Sequence, residues 1–191
     1  MKNIVVSLKI LGVFTLLTGI VYPLLVWAVG QTVFHKQANG SLIYEHNKLV
    51  GSELMGQPTD TSIYFSPRPS AIGYNPLPSG GSNWGLTNAK LQQAFVQRKQ
   101  HFAAQNGIDT LRQSVPAEML FASASGLDPH ISPQAALLQV DKVANARHFT
   151  TTQRQQLLKA VNENTKGRQL GIFGEPTVNV LLLNLAVDKI K

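Results

Sequence analysis

Residues 10–34 carry no formally charged side chain, whereas the chain after His35 mixes apolar and polar positions as a soluble domain does. Residues 10–29 make a 20-residue apolar run. At about 1.5 Å per residue such a run spans roughly 30 Å, the thickness of a bilayer's hydrocarbon core. In lipid every backbone N–H and C=O must be paired internally, so a lone crossing segment is helical. Pro23 is expected to kink this helix rather than end it, because local adjustments satisfy the freed carbonyl. Tyr22 and Trp27 lie toward its far end, where amphipathic rings favour the headgroups. A cleaved signal peptide ending near Ala28-Val29-Gly30 is the rival reading, disfavoured because its apolar core is usually only about 7–15 residues. Gly12, Thr15, Gly19 and Tyr22 recur at spacings of three and four, which sets them on one stripe. Small residues there admit a neighbouring helix and the hydroxyls bond across the contact; the plainer reading is that Gly and Thr are common in membrane helices.

No later run is long enough to cross a bilayer. Residues 40–44 and 48–51 alternate as two short strands joined at His46-Asn47, a small β-hairpin. Residues 66–85 are dense in Pro, Gly, Ser and Asn and predict a long loop without periodicity. Thr87 or Asn88 caps a helix whose apolar face is Leu91, Ala94, Phe95 and Phe102, closed by Gly107. Ser132-Pro133 opens a helix running to Arg147, and residues 150–152 cap another that ends at Gly167. Pro176 opens a last helix through Asp188, with a strand as the alternative because the alternation is not clean. The apolar residues 178–187 contain Asn179 and Asn184 and read as a buried core element. The fold class is therefore α+β: one N-terminal transmembrane helix, then a single extracytoplasmic domain with more helix than strand. The expected boundaries are a cytoplasmic tail at 1–9, a membrane helix at 10–30 and the domain at 31–191.

Charge sets the orientation. Lys2, Lys9 and the amino terminus precede the span, against Lys36 and Lys48 soon after it, so the positive-inside rule keeps the N-terminus in the cytoplasm. The formal charge is +7; without Lys2 and Lys9, 15 basic and 10 acidic side chains leave +5 on the remainder. These charges are scattered rather than gathered on one face, which argues against nucleic acid. A modest basic excess suits anionic lipid or an acidic partner surface. The chain has no cysteine, which removes disulfides and thiolate metal sites.

Residues 125–132 bring Asp128, His130 and serine hydroxyls together. A membrane-anchored periplasmic hydrolase would use a serine nucleophile, His130 as base and Asp128 as its orienter. Triads are assembled from distant parts of a fold, so the stronger reading makes Asp128 and Ser132 turn and cap residues. The run Ser79-Gly80-Gly81-Ser82-Asn83 could wrap an anion with backbone N–H groups, but it lacks the ending of a phosphate-binding loop. A tight turn needing positive φ is the better account of its glycines. Asp128 and His130 form one short pair, and His35, His46, His101 and His148 are scattered, so no metal site is expected. A soluble-ligand sensor is disfavoured because a nine-residue tail leaves nothing to signal with.

A set of motifs in one order is more specific than any of these. Gly-Ser-Leu-Ile stands at 40–43, Val-Gly-Ser-Glu-Leu-Met-Gly-Gln at 50–57 and Tyr-Phe-Ser-Pro-Arg-Pro-Ser-Ala at 64–71. Tyr74-Asn75 and the Ser79–Asn83 run follow, then Ser-Gly-Leu-Asp-Pro-His-Ile-Ser at 125–132 and Gly-Glu-Pro-Thr-Val-Asn-Val-Leu-Leu-Leu-Asn-Leu at 174–185. Nearly end to end, the chain resembles the KdpC subunits of the bacterial Kdp potassium-transporting P-type ATPase. It departs from that pattern at Pro67, Leu86 and Ala124. The resemblance implies a noncatalytic accessory subunit at the inner membrane. Its partners would be KdpA, which binds potassium, KdpB, the ATPase subunit, and the small KdpF. The resemblance also implies a catalytic chaperone that raises the ATP affinity of KdpB, with ATP and potassium used by the complex and no cofactor assigned to this chain. The expected contact surfaces are the loop 66–85 and the turn 125–132, both polar and unneeded for a core. Their candidate residues are Arg68, Asn75, Ser79, Asn83, Asp128 and His130.

Overall fold

A computed structural model describes residues 2–190, and the chain divides into two compact units between Val50 and Gly51. The first begins with an uninterrupted helical rod, Lys2–Val33, of 32 residues, containing an 18-residue stretch of mean hydropathy 2.3, long and apolar enough to cross a membrane. It comprises α1 (Lys2–Leu16), a wide π turn (Leu17–Val21) and α2 (Tyr22–Val33). The cause of the wide turn is Pro23, which has no N–H for the carbonyl four residues back and whose ring would crowd it. The Tyr22 N–H reaches back five residues to the Leu17 carbonyl instead, so the helix continues past the proline. Thr18 and Thr32 donate their hydroxyls to the carbonyls of Phe14 (2.7 Å) and Ala28 (2.8 Å), so these two donors are satisfied within the helix. Gly12 and Thr15 sit on α1, Gly19 in the wide turn and Tyr22 at the head of α2, all exposed on the rod. A wide turn advances each residue by less than the α-helical ~100°, so these four form a staggered line.

A short helix α3 (His35–Ala38) leads to the hairpin of β1 (Leu42–Glu45) and β2 (Lys48–Ser52). His46 (φ 49°) and Asn47 (φ 60°) are both left-handed, the two-residue turn whose twist matches paired strands. The hairpin expected from the sequence is thus present.

The second unit begins with extended chain and then α4 (Ala89–Asn106). Asn88 caps it by accepting from the Lys90 N–H at 2.9 Å, and Gly107 ends it at φ 63°. A 3₁₀ turn (Ala117–Met119) precedes β3 (His130–Ile131) and α5 (Pro133–Leu137), which Ser132 caps. The single helix expected from Pro133 to Arg147 is broken: α6 covers Val140–Ala146, and Leu138 and Gln139 turn between the two. Next come α7 (Thr151–Glu163), opened by a Thr150–Gln153 capping box, and β4 (Thr165–Lys166). The α7 helix stops before Asn164, not at Gly167, because Thr165 and Lys166 are drawn into a strand. The last segment is both of the expected alternatives in succession, β5 (Thr177–Asn179) and then α8 (Val180–Val187). Asn179 ends the strand and caps the helix, accepting from the Leu182 N–H at 3.1 Å.

The sheet is antiparallel in the order β3-β5-β4, with Ile131 and Thr165 both opposite Val178. Helices α5 to α8 supply most of the core against it: Val143, Leu157, Val161, Leu183 and Val187 are fully buried, as are Val178 and Phe65. Each such side chain contributes about 1.5–3 kcal/mol of transfer free energy.

Two buried polar side chains explain what the hydrophobic pattern does not. Asn184 lies in the apolar face of α8, where its Oδ1 accepts the Phe65 N–H (2.9 Å) and its Nδ2 donates to the Phe65 carbonyl (3.2 Å). Gln139, at the break between α5 and α6, accepts the Ser66 N–H at 2.7 Å and donates to the Ser66 carbonyl at 3.4 Å. A primary amide offers one acceptor and two donors, as a strand edge does. Side chains thus complete the backbone pairing of a buried, strandless segment.

Candidate functional site

The loop that leaves Ser66 carries Arg68, whose Nη1 donates to Asp128 Oδ2 at 2.7 Å, both side chains being about one-quarter to one-third exposed (25% and 30%). The other carboxylate oxygen, Oδ1, accepts the His130 backbone N–H at 2.9 Å, a turn that Asp128 builds for itself. His130 Nδ1 lies 3.6 Å from that same oxygen, beyond a good hydrogen bond. Burial pulls the Asp128 carboxyl upward, but the His130 ring, the His130 N–H and the Arg68 guanidinium outweigh it and hold it at about 2. Asp128 is therefore an ionised hinge between the loop and the turn.

The two surfaces singled out in the sequence are one surface. The Ser123 N–H donates to the Pro69 carbonyl (3.0 Å), and the Gly80 N–H to the Ser125 carbonyl (2.9 Å). A Cβ on Gly81 would fall 2.9 Å from the Ala124 carbonyl oxygen, and one on Gly126 (φ 71°) 2.5 Å from Ile72. Gly80 and Gly81 do not adopt the positive φ expected of them; the left-handed residue there is Asn83, at φ 52°. Gly81 serves close approach instead, and the Gly80 N–H faces the neighbouring loop rather than an anion. Tyr74 braces the interior by donating its hydroxyl to the Arg68 carbonyl at 2.7 Å, and burial raises its pKa. Asn75 accepts the Leu77 N–H at 3.0 Å in an exposed turn, while Ser79 and Asn83 lie exposed farther along the loop. The structure thus gathers Arg68, Asp128 and His130 into one cluster, with Asn75, Ser79 and Asn83 outside it.

The hydroxyls beside His130 serve the backbone: Ser125 accepts the Leu127 N–H (3.1 Å) and Ser132 the Ala135 N–H (3.0 Å). Both therefore act as turn and cap residues.

Several supporting residues had escaped notice in the sequence. Lys142 drives its ammonium between the carbonyls of Thr61 (2.8 Å) and Tyr64 (2.7 Å), clasping the loop's approach onto α6. Burial pushes that ammonium down to about 8, against a raising influence from Asp60. Arg147 stacks 4.4 Å over the Tyr64 ring and donates to Asp188 at 2.7 Å. Gly56 donates to the Leu127 carbonyl at 2.6 Å, and a Cβ there would stand 2.7 Å from the Asp128 carbonyl oxygen. The glycine in the 50–57 motif was the available signal for that approach; the two helix cations gave none.

The chain is similar to known proteins over nearly its whole length. The family model described as KdpC, the c chain of the K+-transporting ATPase, matches residues 4–189. The potassium-transporting ATPase KdpC subunit of Burkholderia cenocepacia is 48% identical over 193 residues, covering 98% of this chain and 97% of that protein. Those of Polynucleobacter asymbioticus and Geotalea uraniireducens are each 46% identical, covering 98% and 100% of this chain and 99% of each relative. Matched by that family model over nearly its whole length and 46–48% identical to these subunits, the chain belongs to the KdpC family of potassium-transporting ATPase subunits.

Proposed function

We propose that this chain is a noncatalytic accessory subunit of an ATP-driven potassium uptake complex, needed for assembly with KdpA, KdpB and KdpF. In this reading residues 1–9 are cytoplasmic, the helix spans the inner membrane over 10–30, and residues 31–191 face outward. The rod packs on a partner helix through Gly12, Thr15, Gly19 and Tyr22. The surface holding Arg68, Asn75, Ser79, Asn83, Asp128 and His130 docks on a partner's outer face. The observation that carries the reading is the way the two polar loops are locked together by the Arg68–Asp128 pair and two backbone bonds. A surface fixed before docking loses little conformational freedom on binding. ATP is cytoplasmic, so an effect on the ATP affinity of KdpB passes through the span rather than through the outer domain.

The test is copurification after mild-detergent extraction. Arg68→Ala, Asn83→Ala and Asp128→Ala, made singly, should each lower recovery of the other subunits while the chain keeps its circular dichroism. Wild-type recovery in all three would overturn the contact assignment. Protease added outside spheroplasts should digest residues 31–191, and full protection would reverse the orientation. The KM for ATP of the complex should rise when this chain is removed; an unchanged value would end the chaperone role.

A further inference from the structure

Strands β4 and β5 are the root of an arm that runs out of the sheet. Val178 is fully buried at its base, and Lys166 pairs with Thr177 one step outward. Beyond them the Arg168 guanidinium meets both oxygens of Glu175 at 2.8 Å. Gln169 and Phe173 then exchange both backbone hydrogen bonds, at 2.8 and 2.9 Å. Within the tip, the N–H groups of Gly171 and Ile172 donate to the carbonyls of Arg168 (3.2 Å) and Gln169 (3.1 Å). The tip is therefore a closed, internally bonded turn. It nonetheless holds three large apolar side chains in water: Leu170 is 87% exposed, Ile172 74% and Phe173 62%. Leu77, Leu86 and Leu111 are as exposed but stand singly on loops, whereas the arm concentrates three within four residues.

We propose that this tip is a plug, seating Leu170, Ile172 and Phe173 in an apolar cleft on another chain of the ATPase. The proposal rests on the accessory-subunit reading. An aqueous role gains nothing from concentrating apolar area on a stiff turn, whereas a docking element gains from it because little ordering remains to be done. Charge separates a protein cleft from a lipid surface. Peripheral segments that enter bilayers combine apolar tips with cations free to meet anionic headgroups. Here the cations at the arm's root are already engaged, Arg168 by Glu175 and Lys166 by Glu53 at 3.0 Å. A neutralised rim around an apolar tip fits a protein cleft whose own rim is uncharged.

The chain has no cysteine, so Leu170→Cys provides a single thiol for an environment-sensitive fluorophore. The labelled full chain is examined alone and within the copurified complex, both in lipid nanodiscs. The plug requires blue-shifted emission and at least a five-fold loss of quenching by aqueous iodide in the complex only. Equal iodide quenching in both states overturns it, as does quenching by spin-labelled lipid in both, which would make the tip a membrane-insertion element. In parallel, Ile172→Asp should cut recovery of the other subunits about ten-fold while Leu111→Asp leaves it unchanged. If the wild-type chain recovers no other subunit, the accessory reading itself fails. If wild type and Ile172→Asp recover them equally, only the plug fails.

Discussion

Replacing Asn184 by leucine tests the most unusual feature of the core. The two side chains share a branched skeleton, but leucine's methyls are bulkier than the amide's oxygen and nitrogen, so the substitution leaves no cavity and overpacks the site by about 1–2 kcal/mol. It removes the partner of the Phe65 N–H (2.9 Å) and the shorter of two partners of its C=O (3.2 Å), leaving that buried carbonyl only the Thr59 hydroxyl at 3.4 Å. A buried N–H deprived of its partner costs about 1–3 kcal/mol and the weakened carbonyl about 1 kcal/mol more, so the pair costs roughly 2–4 kcal/mol. Burying leucine in place of an amide returns about 1–2 kcal/mol. The net expectation is a loss of about 2–4 kcal/mol, or a fall in Tm of roughly 10 °C for a unit of this size. The assay is urea and thermal unfolding of the full chain in mild detergent, followed by tryptophan fluorescence. Hydrogen exchange should localise the effect to the Phe65 and Ser66 amides. Gln139→Leu should behave alike, and the double variant should lose less than the sum, because opening the segment once releases both partners. A loss under ~1 kcal/mol in Asn184→Leu, or strict additivity in the pair, would refute the claim that these amides stand in for a missing strand.

Three other outcomes follow from the same structure. The Asp128 pKa of about 2 lies below its usual 3.8, so its stabilisation is complete above about pH 4 and lost as pH falls toward 2. After discount for partial exposure, wild type should exceed Asp128→Asn by about 1–2 kcal/mol at pH 6, shrinking to near zero at pH 2 in urea titrations. For Lys142, depressed to about 8 from 10.5, the unfolded chain holds the proton more tightly, so stability rises with pH above 8. A gain of about 1 kcal/mol between pH 8 and 9.5 should appear in wild type and vanish in Lys142→Met. Leu157, fully buried, should cost about 2–5 kcal/mol when cut to alanine, read as a lowered urea midpoint.

What the sequence made legible was local. The rod announced itself by length, the hairpin by two residues tolerant of positive φ at His46-Asn47, and α4 by its Asn88 and Gly107 ends. The failures share a long-range cause. Nothing near Gln139 breaks a helix; its partner Ser66 lies 73 positions away. Thr165 and Lys166 leave α7 because a later strand pairs with them, and residues 177–187 contain too few strand positions for alternation to declare itself. Arg68 and Asp128 were both singled out, but as parts of separate surfaces, since their contact spans 60 positions. Gly81 was read as a turn glycine because a close approach leaves the same one-letter trace as a positive φ.

The segment at Phe65 and Ser66 is suspended from the helices by neutral amides, and this has a consequence for how the surface above it responds to its medium. Such bonds neither titrate between acid and alkaline media nor dissolve in brine. The Arg68–Asp128 bridge above them weakens as salt screens it. Contour and charge are thus governed by different chemistry, and a change of medium alters the electrostatics of this surface while its relief persists.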